Sequence, residues 1–126
     1  TYHGCAMPVA SQFASIATWN DEEHVKTNRE LYRKKFDAVL TILDGVLPAT
    51  KPNASFYLWV RTPIPGSEFA QGLFAQQNVT LLPGSYIARA AQGINPGEYY
   101  VRRALVAEVE KCIEAAERIK QYVQSL

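Results

Sequence analysis

The sequence predicts an α+β fold, a small sheet covered by helices. Three observations lead there. Four stretches carry apolar residues at three- and four-residue spacing, the helical period. Ser55–Arg61 and Tyr100–Val106 alternate or run apolar as strands do. Pro and Gly separate these runs, and 126 residues suffice for one domain with a single core.

The elements follow in order. Pro8 suits the first turn of a helix, and Val9, Phe13, Ile16 and Ala17 continue it at helical spacing. Its small residues, Ala10, Ser11, Ala14 and Ser15, suggest close packing against another element. Asn20-Asp21 ends this helix and caps the next, with Glu22 and Glu23 favourable in the first turn. A long helix over about His24–Val46 carries the stripe Val25, Tyr32, Phe36, Val39, Leu40, Leu43 and Leu47. Gly45 and Pro48 end it. The strand SFYLWVR follows, with both faces apolar enough to suggest a central position. Pro63, Pro65 and Gly66 form a loop, and Ser67 is placed to cap a short helix through about Gln77. Val109, Cys112, Ile113, Ala116, Ile119 and Val123 mark a C-terminal helix over about Glu108–Gln124, which makes Cys112 a core residue.

The chain is organised around Asn78–Ala107. A strand over Val79–Leu82 meets Pro83-Gly84, then an irregular loop, then the strand Tyr100–Val106. Gly84, Gly93 and Gly97 permit backbone angles closed to other residues, and Pro83 and Pro96 stop regular structure. The last strand holds adjacent arginines, Arg102 and Arg103, which must point to opposite faces. If one faces solvent, the other faces what the sheet covers, where a cation needs an anion. An anion site is therefore a candidate function of this stretch.

Other functions find less support. Net charge is +1 and charged residues make up 20%, so electrostatics make no case for nucleic acid or membrane surfaces. The basic run Arg29, Arg33, Lys34, Lys35 reads as a solvated helix face, and all six lysines suit solvent. No apolar run approaches the ~20 residues that span a bilayer. Cys5, Cys112, His3 and His24 have no metal-ligand spacing, so no metal is expected. Two isolated cysteines suit a reducing compartment, and a cytoplasmic location is expected. GxGxxG, P-loop, GxSxG and HExxH motifs are all absent, and no acid–base pair is recognisable, so no catalytic residue is assigned.

The segments LLPGSYIAR, NPG, YVRRALVA and EKCIEAAERI resemble the C-terminal small domain of class I/II aminotransferases, pyridoxal-phosphate enzymes of fold type I. YHGCAMPVASQ at the front and SFYLW in the middle agree with that family, so the resemblance spans the chain. The variant with PGSxxAR, NPG and RxALVA is similar to the succinyldiaminopimelate branch. The resemblance implies that residues 1–20 link to, and pack on, a large domain absent from this chain, and that residues 21–126 form the small domain. It implies that Arg102 binds the substrate α-carboxylate, whereas Arg103 stands where relatives usually carry an aliphatic residue. Tyr2, His3 and Tyr86 are candidate active-site loop residues.

The resemblance further implies a homodimeric parent that uses pyridoxal 5'-phosphate, with amino acids and 2-oxo acids as substrates. The expected reaction moves an amino group between N-succinyl-LL-2,6-diaminopimelate and 2-oxoglutarate, a step of lysine biosynthesis. Competing readings are another class I/II aminotransferase, a carbon–sulfur lyase, or a cofactor-free ligand-binding module. No lysine here matches the cofactor-bonding lysine of the family. The isolated chain should therefore show neither transaminase activity nor a cofactor absorbance band. Mixing it with pyridoxal phosphate and scanning the visible spectrum checks this, and a stoichiometric band surviving dialysis would contradict it.

Overall fold

The computed structural model describes residues 6–126. They form α1 (Val9–Trp19), α2 (Glu23–Leu43), β1 (Tyr57–Arg61), α3 (Gly66–Gln77), β2 (Leu82–Pro83), β3 (Tyr100–Ala104) and α4 (Val109–Gln124), with one 3-10 turn at Gly84–Tyr86. The chain divides into two compact units, residues 1–31 and 32–126, and the division falls within α2. In the first unit α1 buries none of its residues. Met7, Val9, Phe13, Ile16 and Trp19 are all exposed. Asp21 caps α2 as expected: its Oδ1 accepts the Glu23 N–H at 3.0 Å. The His24 ring, hydrogen-bonded to the same carboxyl, holds Asp21 below the usual carboxylate range.

The second unit holds the core. The sheet has the order β1-β3-β2, antiparallel throughout. The central strand is therefore β3, not β1 as the sequence suggested. The aromatics of β1 that read as a second apolar face, Tyr57 and Trp59, lie outside the core; Trp59 remains 39% exposed. The inward residues Leu58, Val60, Val101 and Leu105 join Phe36, Val39, Leu43, Leu47, Phe69, Leu73, Ala116, Ile119 and Tyr122. Each large aliphatic or aromatic member, fully covered, contributes about 1.5–3 kcal/mol. Phe69 meets Tyr122 edge-to-face at 5.2 Å, clamping α3 to α4. Cys112 is a core residue, as read from its spacing; its thiol donates to the Ala107 carbonyl at 3.4 Å.

Several boundaries shift for physical reasons. The long helix stops at Leu43 because Gly45 takes φ +69. Pro65, not Ser67, stands at the N-cap of α3, without a side-chain cap. Asn78 ends α3 in the left-handed conformation, and Arg118 donates to the Gln77 carbonyl at 3.1 Å. The chain leaves that cap with Val79 and Leu81 buried but not paired, so the strand expected over Val79–Leu82 shrinks to Leu82–Pro83. Pro83 has no N–H to extend the ladder. β1 spans Tyr57–Arg61, shorter at its start than expected: Phe56 O still accepts the Leu105 N–H at 2.8 Å, and the Tyr57 N–H donates to Ser55 Oγ. Lys35, expected in solvent, is only 8% exposed, with its ammonium 4.8 Å from the Tyr32 ring centroid.

The loop between β2 and β3 is stitched to its surroundings. The Gly97 N–H donates to Asn95 Oδ1 at 2.9 Å, Thr62 N–H to Tyr99 O at 2.8 Å, and Gly66 N–H to Glu98 O at 2.7 Å. Of its three glycines only Gly93 has positive φ. Gly84 and Gly97 are required by proximity instead, which corrects the conformational reading. A Cβ on Gly84 would lie 2.5 Å from Gly97 O and 2.8 Å from both Tyr100 O and the Trp59 ring. Gly84→Ala should therefore cost roughly 1–3 kcal/mol through forced backbone movement. Urea denaturation of the 126-residue chain measures it, and an unchanged midpoint would contradict the packing.

Candidate carboxylate site on the open sheet face

Strand alternation separates the two arginines. Along β3, Val101 and Arg103 are buried, as is Leu105 just beyond it, whereas Tyr100 and Arg102 are only half-buried and Ala104 is exposed. β1 repeats the pattern, with Leu58 and Val60 inward and Tyr57, Trp59 and Arg61 outward. The register places Trp59 opposite Arg102 and Arg61 opposite Tyr100. The open face of this pair thus carries Tyr57, Trp59, Tyr100, Arg61 and Arg102. Trp59 and Tyr100 stack at 5.4 Å with an interplanar angle of 8°. Arg102 lies over the Tyr57 ring, 5.3 Å from its centroid. Among the described residues no carboxylate forms a salt bridge with it. A guanidinium held at a half-covered surface without an acid is suited to a planar anion such as a carboxylate.

Arg103 is the inward residue, at 5% exposure. The sequence argument demands an anion for such a cation, and among the described residues no acid pairs with it. Its Nη2 donates instead to the Cys112 carbonyl at 2.6 Å, and its Nη1 is buried without a hydrogen-bond partner. Burial pushes the guanidinium down to about 10, partly offset by Cys112. The unfolded chain therefore holds this proton more tightly than the folded chain. The linked stability is present only above the ordinary arginine range and is lost as pH falls through about 10. At neutral pH the charged Arg103 costs stability, and it cannot serve a ligand without leaving the core.

Tyr86, in the 3-10 turn, is 68% exposed and points no donor at another described residue. Tyr2 and His3 lie outside the described residues. The six lysines sit on α2, on α4 and in the Thr50–Asn53 turn, none on β1 or β3. Lys26 pairs with Glu23, Lys111 with Glu114, and Lys51 with Asp37. No cluster of His, Cys, Asp or Glu among the described residues could hold a metal, and no helix is long and apolar enough to cross a membrane. Sequence reasoning missed the aromatic floor under Arg102. The signal lies in the alternation of Tyr57 and Trp59 with Leu58 and Val60, which by itself also fits burial on two sides.

If Arg103 is a buried, half-satisfied cation, an apolar replacement should be tolerated or better. Arg103→Met removes the charge, and the Cys112 carbonyl keeps its place in the α4 hydrogen-bond ladder. The variant should match the parent or exceed it by about 1–4 kcal/mol in denaturant unfolding. A loss of several kcal/mol would contradict this account.

The comparisons bear on the whole chain. No family model matches it. The crystal structure of an aminotransferase from Neisseria meningitidis superposes with a TM-score of 0.90 at 47% identity, over 95% of this chain and 31% of that one. A probable N-succinyldiaminopimelate aminotransferase from Thermus thermophilus gives 0.68 at 34% identity, over 82% of this chain and 27% of that one. In sequence the chain is 32% identical over 115 residues to the LL-diaminopimelate aminotransferase of Nitratidesulfovibrio vulgaris, covering 87% of this chain and 28% of that enzyme. The chain spans less than a third of the length of these relatives. In sequence and in fold it is a relative of the class I/II, fold-type-I pyridoxal-phosphate aminotransferases.

Proposed function

We propose that the chain is the C-terminal small domain of an aminotransferase, and that Arg102 holds the α-carboxylate shared by its amino-acid and 2-oxo-acid substrates. One observation carries this reading: Arg102 is the outward arginine of β3, positioned by an aromatic ring and unclaimed by any acid among the described residues. A planar guanidinium grips a carboxylate through two parallel N–H donors. That grip fixes the substrate Cα relative to the strand, and orientation of this kind lowers the barrier to a reaction at the adjacent carbon. Trp59, opposite Arg102 in the register, stacks on Tyr100 on the same face. Pyridoxal 5'-phosphate, held by parts of the enzyme beyond this chain, supplies the electron sink for amino-group exchange.

Within that class we favour transfer between N-succinyl-LL-2,6-diaminopimelate and 2-oxoglutarate, in lysine biosynthesis. The name of the Thermus relative and the PGSxxAR, NPG and RxALVA variant support it. LL-Diaminopimelate is the substrate named for the Nitratidesulfovibrio relative and is the alternative. Residues 1–20 are assigned to the link with the large domain, whose surface would cover Phe13, Ile16 and Trp19. A cytoplasmic homodimer completes the proposal.

The test is Arg102→Lys in the full-length enzyme. Lysine keeps the charge and loses the bidentate geometry. Amino and oxo substrates should both lose roughly 2–5 kcal/mol in kcat/KM. Cofactor absorbance should not change. Mild effects on both substrates would defeat the carboxylate reading.

A further inference from the structure

The geometry points to Tyr57 as the positioning residue of Arg102: its ring face holds the guanidinium in place and leaves the N–H fork open to a carboxylate. This rests on the carboxylate reading of Arg102 and adds the means by which that side chain is oriented. An arginine offered to an incoming anion faces two opposed demands. Its long, rotamer-rich side chain must be held, and its donors and charge must stay available. An acidic neighbour would meet the first demand and defeat the second, by occupying the fork and neutralising the charge. An aromatic face attracts the cation through its quadrupole and consumes no N–H.

The structure meets both demands. The Arg102 Cζ lies 5.3 Å from the Tyr57 ring centroid, and no acid among the described residues pairs with it. The register explains the contact. Tyr57 stands opposite Ala104, whose small side chain puts no bulk in the way, so the ring is able to lean to its diagonal neighbour Arg102. Tyr57 is itself fixed on two sides. The Phe56 ring meets it edge-to-face at 5.5 Å, and its N–H donates to Ser55 Oγ at 3.1 Å. Trp59, directly across from Arg102 in the register, stacks on Tyr100. Gly84 lets that stack form, because a Cβ there would collide with the Trp59 ring.

The test uses Tyr57→Leu, with Tyr57→Met as a second variant without a ring face and Tyr57→Phe as the conservative rescue. In the full-length enzyme, loss of the ring should raise KM for amino and oxo substrates alike by roughly five- to tenfold, with kcat less affected. Calorimetric affinity for succinate, a simple carboxylate probe, should fall by a similar factor. In the 126-residue chain, the Arg102 Nε–Hε resonance should lose its ring-current shift. Tyr57→Phe should restore all three. Circular dichroism establishes that each variant folds, and Tyr57→Met stands in if Tyr57→Leu does not. Unchanged KM and succinate affinity in the ringless variants, alongside a crippled Arg102→Lys, would overturn the role of Tyr57 and leave the carboxylate reading intact. A mild Arg102→Lys would overturn both.

Discussion

The period of two along β3 is the constraint on which the site depends. It sends Arg102 and Arg103 to opposite faces of one strand, with no intermediate arrangement available. Because β3 is paired on both edges, the strand cannot rotate to share the burden between them. The inward face is committed to Leu58, Val60, Val101 and Leu105, so the inward arginine takes the cost of desolvation. The outward arginine escapes it. One sequence feature thus yields a buried cation bonded to a helix carbonyl and an available one over an aromatic ring.

The loop between β2 and β3 serves the same end by a different means. Gly84 and Gly97 approach each other's backbones closely, and the hydrogen bonds from Thr62 and Gly66 tie Glu98 and Tyr99 to the opposite loop. This fixes where β3 begins, and with it the register that sets Arg102 across from Trp59 and diagonal to Tyr57. The α3–α4 pair, locked by Phe69 on Tyr122, supports the sheet from the covered face.

Much of this was legible in the sequence. The helices, the α+β class, the core role of Cys112 and the opposition of the two arginines follow from spacing alone. The LLPGSYIAR, NPG and YVRRALVA segments carry a resemblance to aminotransferases, and the comparisons agree with it. What could not be read was which residues oppose each other across strands. The apolar character of Tyr57 and Trp59 suggests a central β1, yet they pack on Tyr100 and Arg102 instead of on a second layer. The anion expected for the inward arginine failed to appear because a backbone carbonyl of α4 lies within reach, a tertiary fact with no local signal. Gly84 and Gly97 were correctly singled out for the wrong reason, since their backbone angles are ordinary and their neighbours are not.

The central claim is that, of the two adjacent arginines of β3, Arg102 presents its guanidinium outward and Arg103 does not. Arginine-directed labelling with phenylglyoxal, read by tandem mass spectrometry of the peptide spanning Tyr100–Ala107, tests it most directly. Arg102 should label readily in the folded chain and be protected by added carboxylate, while Arg103 stays unlabelled until denaturant is added. Rapid labelling of Arg103 in the folded chain, or of both arginines at equal rates, would contradict the account.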